Sequence, residues 1–157
     1  MVLREDQESE LPLPRHYTWD QFNAAIAPLA QFIMGRPHWE RRWLYGVPRG
    51  GLPLAVALSH HTGLPLRQDM EEGAVIVDDI HDTGMTLTKL WEQFPGSAVV
   101  CWLHRLDLQT AFKQMPDNYK YADLIGPKLW AIFPWEDPER ALQDYRAYRD
   151  KNKQGVA

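Results

Sequence analysis

The chain has 157 residues, 45% of them hydrophobic, which is enough for one buried core and too little for two. Its formal net charge of −4 argues against a broad nucleic-acid-binding surface. The charged N-terminus does not resemble a signal peptide, and no apolar run approaches the roughly 20 residues of a membrane span. We therefore expect a cytoplasmic protein with small-molecule partners. Cys101 is the only cysteine, which excludes an intramolecular disulfide and favours a buried core thiol.

The pattern of the chain predicts an arm, one domain and a tail. Residues 1–15 are acidic, contain prolines and lack periodicity, so we expect a flexible arm or one that docks on a neighbouring subunit. Residues 16–149 form the predicted domain, and residues 150–157 a polar tail. Near the start of the domain, Thr18-Trp19-Asp20-Gln21 has the pattern of a capping box. It begins a helix predicted to reach about Met34, which Pro28 should kink or divide.

A first strand, loop and helix follow. Trp43-Leu44-Tyr45-Gly46-Val47 is the first predicted core strand, and Pro48-Arg49-Gly50-Gly51 joins it to a helix that starts at Leu52 and ends before Gly63. Two glycines let the backbone approach an anion closely, and Arg49 offers a charge-assisted hydrogen bond, so the loop suits a diphosphate. Considered alone, these residues fit an ordinary tight turn with a surface arginine about equally well.

The most informative stretch is Ala74-Val75-Ile76-Val77-Asp78-Asp79-Ile80-His81-Asp82-Thr83-Gly84-Met85-Thr86-Leu87. A short apolar strand ends in acids and a Thr-Gly-x-Thr loop that opens a helix, so backbone N–H groups and hydroxyls point at a phosphate monoester. Asp78 and Asp79 suit vicinal hydroxyls or a divalent cation. The inferred ligand is a sugar phosphate with a diol. A strand end with a helix cap is the simpler alternative, but it explains only one acid.

The remaining elements alternate in the same way. Leu64-Pro65-Leu66 is a minimal edge strand, and an amphipathic helix after the acids ends at Pro95-Gly96. Ala98–Leu103 is a buried strand with His104 and Arg105 at its end, and Asp107 begins a short helix. Further segments are extended strands at Tyr119–Ile125 and Leu129–Phe133 and a helix that begins at Asp137-Pro138. We predict an α/β fold with a mostly parallel central sheet flanked by helices.

The stretch around Asp78 resembles the signature of the type I phosphoribosyltransferases, which exchange the pyrophosphate of phosphoribosyl pyrophosphate for a nitrogenous base. The segments Tyr17-Thr18-Trp19-Asp20, Val47–Leu52 and Leu129–Glu136 are similar to the bacterial xanthine-guanine branch. The resemblance spans roughly Tyr17 to Glu136. It implies phosphoribosyl pyrophosphate and a 6-oxopurine as substrates and Mg²⁺ as cofactor. Trp-rich apolar surfaces suggest a homodimer or homotetramer.

The resemblance implies a role for each matching residue. Pro48, Arg49, Gly50 and Gly51 would hold pyrophosphate, with Arg49 aiding its departure, and the Pro48–Arg49 peptide bond would be cis. Asp78 and Asp79 would hold the ribose hydroxyls, with Asp79 at the metal. Asp82, Thr83, Gly84, Met85 and Thr86 would cradle the 5′-phosphate, and Asp82 would also manage the proton of the base. Trp130 would stack on the purine, and Ala131 and Arg105 would complete the base site. His81 occupies a variable spacer position.

Two departures from the family pattern affect the functional prediction. The family reads the 6-oxo group with a lysine, where this chain has His104-Arg105, so base preference is expected to differ. The family also closes a long hairpin over the site, whereas only residues 67–73 occupy that gap here, too few for a lid. Purine phosphoribosyl transfer is therefore the first hypothesis. The alternatives are a non-catalytic regulatory protein that binds phosphoribosyl pyrophosphate or a nucleotide, and an enzyme for a pyrimidine or a modified base.

Overall fold

The computed structural model describes residues 13–82, 85–105 and 117–154. In chain order the elements are β1 (Leu13–His16), α1 (Trp19–Gly35), a 3₁₀ turn (His38–Glu40), β2 (Trp43–Gly46), α2 (Leu52–Thr62), β3 (Ala74–His81), α3 (Met85–Gln93), β4 (Val99–Arg105), β5 (Tyr119–Ile125), β6 (Leu129–Ile132) and α4 (Pro138–Gln154). Strands β2, β3, β4 and β5 form one sheet in that order, and β1 pairs with β6 in a second. Every one of these pairs is parallel, so the predicted α/β class is confirmed.

The chain changes direction across the sheet between β2 and β3. After α2, Leu66 forms a single parallel bridge to Leu44 of β2, and β3 then pairs with β2 along its other edge. Because parallel crossovers are right-handed, this reversal sends α2 and α3 to opposite faces of the sheet. The ends of β2 and β3 lie at this reversal point, which is where open α/β sheets leave a crevice for a ligand.

Alternate residues of β3 supply the two cores. Val75 and Val77 pack with α1 and α2 on one face, and Ile76 packs with Leu87 of α3 on the other. Because helices cover both faces of the strand, residues 74–77 are all apolar. The continuous apolar run then stops at the first acid, where the site begins.

An aromatic cluster joins the small sheet to the large one. Trp102 of β4 is fully buried and lies 5.3 Å from the ring of Tyr17, 5.5 Å from that of Phe22 and 5.5 Å from that of Phe133. These rings come from β4, from α1, and from the segments that follow β1 and β6. Their edge-to-face and tilted packing holds the segment after β6 against the main core. As a result, α4, which continues from that segment, is set over the carboxyl ends of the strands.

Several predicted boundaries are confirmed or corrected. The capping box is present, because Gln21 N–H donates to Thr18 Oγ1 at 3.2 Å and Thr18 N–H donates to Gln21 Oε1 at 2.9 Å. Pro28 was predicted to kink or divide this helix, and it does not divide it, since α1 runs unbroken from Trp19 to Gly35. Its buried side chains, which include Leu29 and Ile33, pack on the core and outweigh the one backbone bond that a proline removes.

The chain ends also depart from the prediction. Residues 13–15, placed in the arm, belong to β1, where Leu13 N–H donates to Lys128 O at 2.7 Å. A pairing partner more than a hundred residues away leaves no local pattern, which is why periodicity missed it. Helix α4 extends to Gln154, beyond the start of the predicted tail. The predicted edge strand at Leu64–Leu66 is reduced to one bridge, since Pro65 has no N–H to donate. The helix predicted after Asp107 lies outside the described residues.

None of the helices in the described part of the chain has the length and apolar character needed to cross a membrane.

Candidate active site

The loop after β2 is tightly folded against β3. Val47 N–H donates to Val77 O at 2.8 Å, and Gly51 N–H donates to Val47 O at 2.9 Å. A Cβ at Gly51 would overlap Val77 O and lie 2.9 Å from Val47 N, so only glycine fits this backbone. The Pro48–Arg49 peptide bond is cis, as the resemblance implied. The loop therefore presents Arg49 and Gly50 at the carboxyl end of β3.

Gly50 lies directly against Asp79. A Cβ on Gly50 would overlap the Asp79 carboxylate and would lie 2.7 Å from its Cγ. Two segments that were predicted to bind different parts of one ligand, the glycine loop and the paired acids, thus meet at the reversal point of the sheet. A ligand held by the loop would contact the acids as well.

Asp78 and Asp79, in the second half of β3, share a partly buried position. Burial raises the pKa of Asp78 to about 8, and the neighbouring charge of Asp79 adds to the shift. Burial also raises the pKa of Asp79. Asp78 Oδ1 accepts a hydrogen bond from Asp79 N–H at 2.9 Å, and Asp79 Oδ1 accepts one from Ile80 N–H at 2.8 Å. Burial disfavours the ionised form of these carboxylates. A ligand that stabilises the ionised form, such as a divalent cation or a pair of hydroxyl donors, therefore suits this position.

Asp82 and Arg105 come together from neighbouring strand ends. Arg105 Nε donates to Asp82 Oδ1 at 2.5 Å. The same guanidinium donates through Nη1 to Gly126 O at 2.9 Å and to Leu129 O at 2.6 Å. Three contacts therefore fix the Arg105 side chain, which orients the carboxylate and ties β4 to the turn before β6. The pair predicted to handle the base edge is thus preassembled.

A cavity of about 920 Å³ opens beside the glycine loop. Its walls come from the loop and α2, from Asp79, from the segment after β6 and from α4. The lining residues are Arg49, Gly50, Leu52, Pro53, Val56, Asp79, Trp135, Glu136, Asp137, Arg140, Ala141 and Asp144. A space of this size accommodates a ligand as large as a nucleotide.

The predicted base-stacking residue lies away from this cavity. The Trp130 ring is 4.7 Å from the ring of Tyr148 and 5.9 Å from that of Tyr145, both on α4. Its neighbour Ala131 packs against the main core instead. Because side chains alternate along a strand, Trp130 and Ala131 point to opposite faces of β6. Arg105 remains close to this strand through its bond to Leu129 O.

Four polar residues of the cavity were not predicted as site residues: Glu136, Asp137, Arg140 and Asp144. Burial raises the pKa of Glu136, whose Oε1 accepts a hydrogen bond from Phe133 N–H at 3.1 Å. For Asp137, Arg140 and Asp144 the only local signal was their spacing on a helix, which fits a solvent-exposed face equally well.

Part of the predicted phosphate loop lies outside the described residues, namely Thr83 and Gly84. Met85 and Thr86 open α3, and Thr86 is exposed there. His81, placed at a spacer position, is buried, and its Nδ1 lies 3.2 Å from the Tyr119 hydroxyl. Cys101 is fully buried 3.1 Å from the same hydroxyl, as expected for a core thiol. Among the described residues, no group of three or more His, Cys, Asp or Glu side chains is arranged to hold a metal.

Comparison with known proteins agrees with this architecture. No protein-family model matches the chain. The chain is 25% identical to a xanthine-guanine phosphoribosyltransferase of Gluconobacter oxydans, in a match that covers 82% of this chain and 89% of the relative. Among solved structures, it is similar to a purine phosphoribosyltransferase from Pyrococcus horikoshii (29% identity, 79% of this chain and 95% of the other, TM-score 0.61). It is also similar to the xanthine-guanine-hypoxanthine phosphoribosyltransferase of Helicobacter pylori (19% identity, 83% and 97%, TM-score 0.57).

The chain has the type I phosphoribosyltransferase fold.

Residues 67–73, which occupy the position of the family's lid hairpin, form a short segment on the other side of the sheet's length from the acids. The Arg67 guanidinium lies over the Trp43 ring, 4.6 Å from its centre, and Gly73 N–H donates to Ser97 Oγ at 3.1 Å. These contacts hold residues 67–73 near the amino ends of the strands, whereas Asp78 and Asp79 lie near the carboxyl end of β3. Residues 67–73 therefore cannot cover the candidate site.

Proposed function

We propose that the chain is a purine phosphoribosyltransferase that transfers the 5-phosphoribosyl group of phosphoribosyl pyrophosphate to a 6-oxopurine and releases pyrophosphate. The observation that carries this proposal is the direct packing of the Arg49–Gly50 loop on Asp79. A substrate with a diphosphate next to a ribose diol needs these two kinds of group side by side. The names of the relatives support a purine as the acceptor.

In the proposed complex the loop of Pro48, Arg49, Gly50 and Gly51 holds the diphosphate. The Arg49 guanidinium and the backbone N–H groups of Arg49 and Gly50 stabilise the negative charge that develops on this leaving group. Asp78 and Asp79 accept hydrogen bonds from the ribose hydroxyls, which orients the sugar for attack at its anomeric carbon. The start of α3 holds the 5′-phosphate, because exposed N–H groups and the positive end of the helix dipole favour an anion there.

Mg²⁺ is the proposed cofactor, and Asp79 and Asp78 would hold it. The donor set fits the ion, since both groups are carboxylates and hard oxygen ligands are what Mg²⁺ prefers. Bound there, the ion would neutralise charge on the diphosphate. Two protein carboxylates are few for a metal site, but Mg²⁺ commonly takes its remaining ligands from water and from substrate phosphates.

The Asp82–Arg105 pair is proposed to read the base. The carboxylate, oriented by the guanidinium, can accept a hydrogen bond from a protonated ring nitrogen of the purine. The described contacts of Arg105 use Nε and Nη1, which leaves the Nη2 donors for the 6-oxo group. A guanidinium held at three points has less freedom than a lysine, so we propose a narrower choice of base than in lysine-containing relatives.

The test is direct. The protein is incubated with Mg²⁺, phosphoribosyl pyrophosphate and each of guanine, xanthine, hypoxanthine and adenine, while nucleotide formation and pyrophosphate release are followed. We expect turnover with at least one 6-oxopurine, and a large loss of turnover in Asp78→Asn and Asp79→Asn. Asp20→Asn, which changes an exposed acid on α1, serves as the control and should leave turnover unchanged.

A non-catalytic binding protein is the second candidate, because residues 67–73 cannot form a lid over the site. Binding of phosphoribosyl pyrophosphate without turnover of any base, pyrimidines included, would decide for it. Turnover of a pyrimidine alone would instead assign the enzyme to a different base.

A further inference from the structure

One face of α4 lies over the candidate site. Asp137, Arg140, Ala141 and Asp144 line the cavity, and their spacing of three and four residues places them on the same side of the helix. Tyr145 and Tyr148 continue this stripe toward the C-terminus, where their rings contact Trp130. A single helix thus spans the distance from the glycine-loop cavity to the predicted base-stacking residue.

The helix is firmly docked in this position. Ala141 and Tyr145 are buried, so two consecutive turns are anchored. Asp137 caps the first turn, where its Oδ1 accepts from Arg140 N–H at 2.8 Å and its carbonyl accepts from Ala141 N–H at 2.9 Å. Because the backbone of this turn is fixed, Arg140 has a defined place on the cavity wall.

Arg140 is exposed to solvent. Among the described residues it has no ion pair, no side-chain hydrogen bond and no ring contact. Arg49, in the loop after β2, lines the same cavity. Two arginines that line one cavity beside a glycine loop are suited to an anion with several oxygens, since each guanidinium can donate two parallel hydrogen bonds.

The acids of the cavity restrict which anion this can be. Asp79, Glu136, Asp137 and Asp144 line the same space, so a bare polyanion would meet repulsion as well as attraction. A diphosphate that brings a divalent cation avoids this conflict, because the cation offsets the nearby carboxylates.

We propose that Arg140 is a second diphosphate-binding residue, which α4 carries to the site in place of a lid loop. The proposal rests on the proposed function, and it adds a residue and a helix outside the segments that resemble the family. Arg140 would contact the diphosphate from α4, and Arg49 would contact it from the loop after β2. Since α4 also contacts Trp130, binding at the two ends of the site would share one structural element.

Calorimetric titration of phosphoribosyl pyrophosphate with Mg²⁺ tests this without relying on turnover. We expect Arg140→Ala to weaken binding by roughly tenfold, the usual effect of losing hydrogen bonds to a charged group, and Arg140→Lys to weaken it less. Arg146→Ala is the matched control. Arg146 is an exposed arginine on the same helix but on another face, beside Glu139, Leu142 and Gln143. Ribose 5-phosphate is the ligand control, and its affinity should be equal in all variants.

The outcomes separate this inference from the proposed function. If the unmodified protein binds phosphoribosyl pyrophosphate and both Arg140→Ala and Arg140→Gln bind it equally well, the role of Arg140 is wrong and the proposed function stands. An equal loss for Arg146→Ala, or a parallel loss of ribose 5-phosphate binding, would also overturn it. No binding by the unmodified protein would overturn both. Circular dichroism spectra and thermal melts of each variant confirm that α4 is intact.

Discussion

A single methyl group at Gly50 should separate the two halves of the site. In Gly50→Ala the new Cβ would lie 2.7 Å from Asp79 Cγ and 3.1 Å from Asp79 Oδ1. Ordinary carbon contacts need about 3.5 Å or more, so the loop or the carboxylate must move by about 1 Å. Overpacking of this kind costs about 1–3 kcal/mol of stability. A misplacement of about 1 Å can lower catalysis by about 100-fold.

Urea denaturation measures the stability part of this prediction, and kcat/KM for phosphoribosyl pyrophosphate measures the functional part. Gly35→Ala is the matched control, because a Cβ at Gly35 would have no neighbour within 4 Å. It should leave activity unchanged and alter stability by less than about 1 kcal/mol.

A double-mutant cycle then tests the cause. In an Asp79→Ala background the carboxylate is absent, so Gly50→Ala should cost less than about 0.5 kcal/mol there. A full cost in that background, or unchanged stability and activity in the single variant, would show that the loop does not rest on Asp79 and would refute the reasoning.

Three further predictions concern other parts of the molecule. Arg105→Ala should lower the free energy of unfolding, measured by urea denaturation, by about 1–3 kcal/mol, because Gly126 O and Leu129 O lose their hydrogen-bond donor. Arg105→Lys should recover only part of the lost stability. Trp130→Ala should raise KM for the purine about tenfold, whereas Trp130→Phe should stay near the unmodified value; an unchanged KM for the purine in Trp130→Ala would argue against stacking. Burial lowers the pKa of His81 from its ordinary value of 6.5 to about 4. As the pH falls below 6.5, His81 therefore becomes protonated in the unfolded chain before it does so in the folded protein. Stability from His81 is therefore complete above pH 6.5 and is lost between pH 6.5 and 4, by about 2 kcal/mol at pH 5. Since the raised pKa of Asp78 acts in the opposite direction, the measurement is the difference in unfolding free energy between the unmodified protein and His81→Asn at pH 7.5 and pH 5, with chelator present. A difference that does not change with pH would contradict the assignment.

The predictions that succeeded rest on local chemistry. The capping box at Thr18, the helix end at Gly63 and the apolar strand before Asp78 each follow from residues a few positions apart. Such segments keep their preference in almost any tertiary setting, because hydrogen bonds and turn conformations within the segment stabilise them. Pro28 shows the limit: it does not divide α1, because packing of the helix on the core outweighs the local preference to end it.

The contacts that complete the site have no local signature. Arg105 and Asp82 form an ion pair across 23 positions of the chain, and nothing near either residue indicates its partner. The same holds for Arg140, which reads as one charge on a polar helix until α4 is placed over the cavity. Strand pairing and helix docking are set by the total burial of apolar surface, which no short window contains.

The sequence by itself determined that two strand-loop-helix units carry a glycine-rich loop and a pair of acids, because periodicity, glycines and charge order are properties of neighbouring residues. Only the tertiary structure decided that Gly50 rests on Asp79, that Trp130 turns toward α4, and that residues 67–73 lie far from the site. Each of these depends on which sheet edge and which face a segment occupies. That choice is made by packing across the whole core.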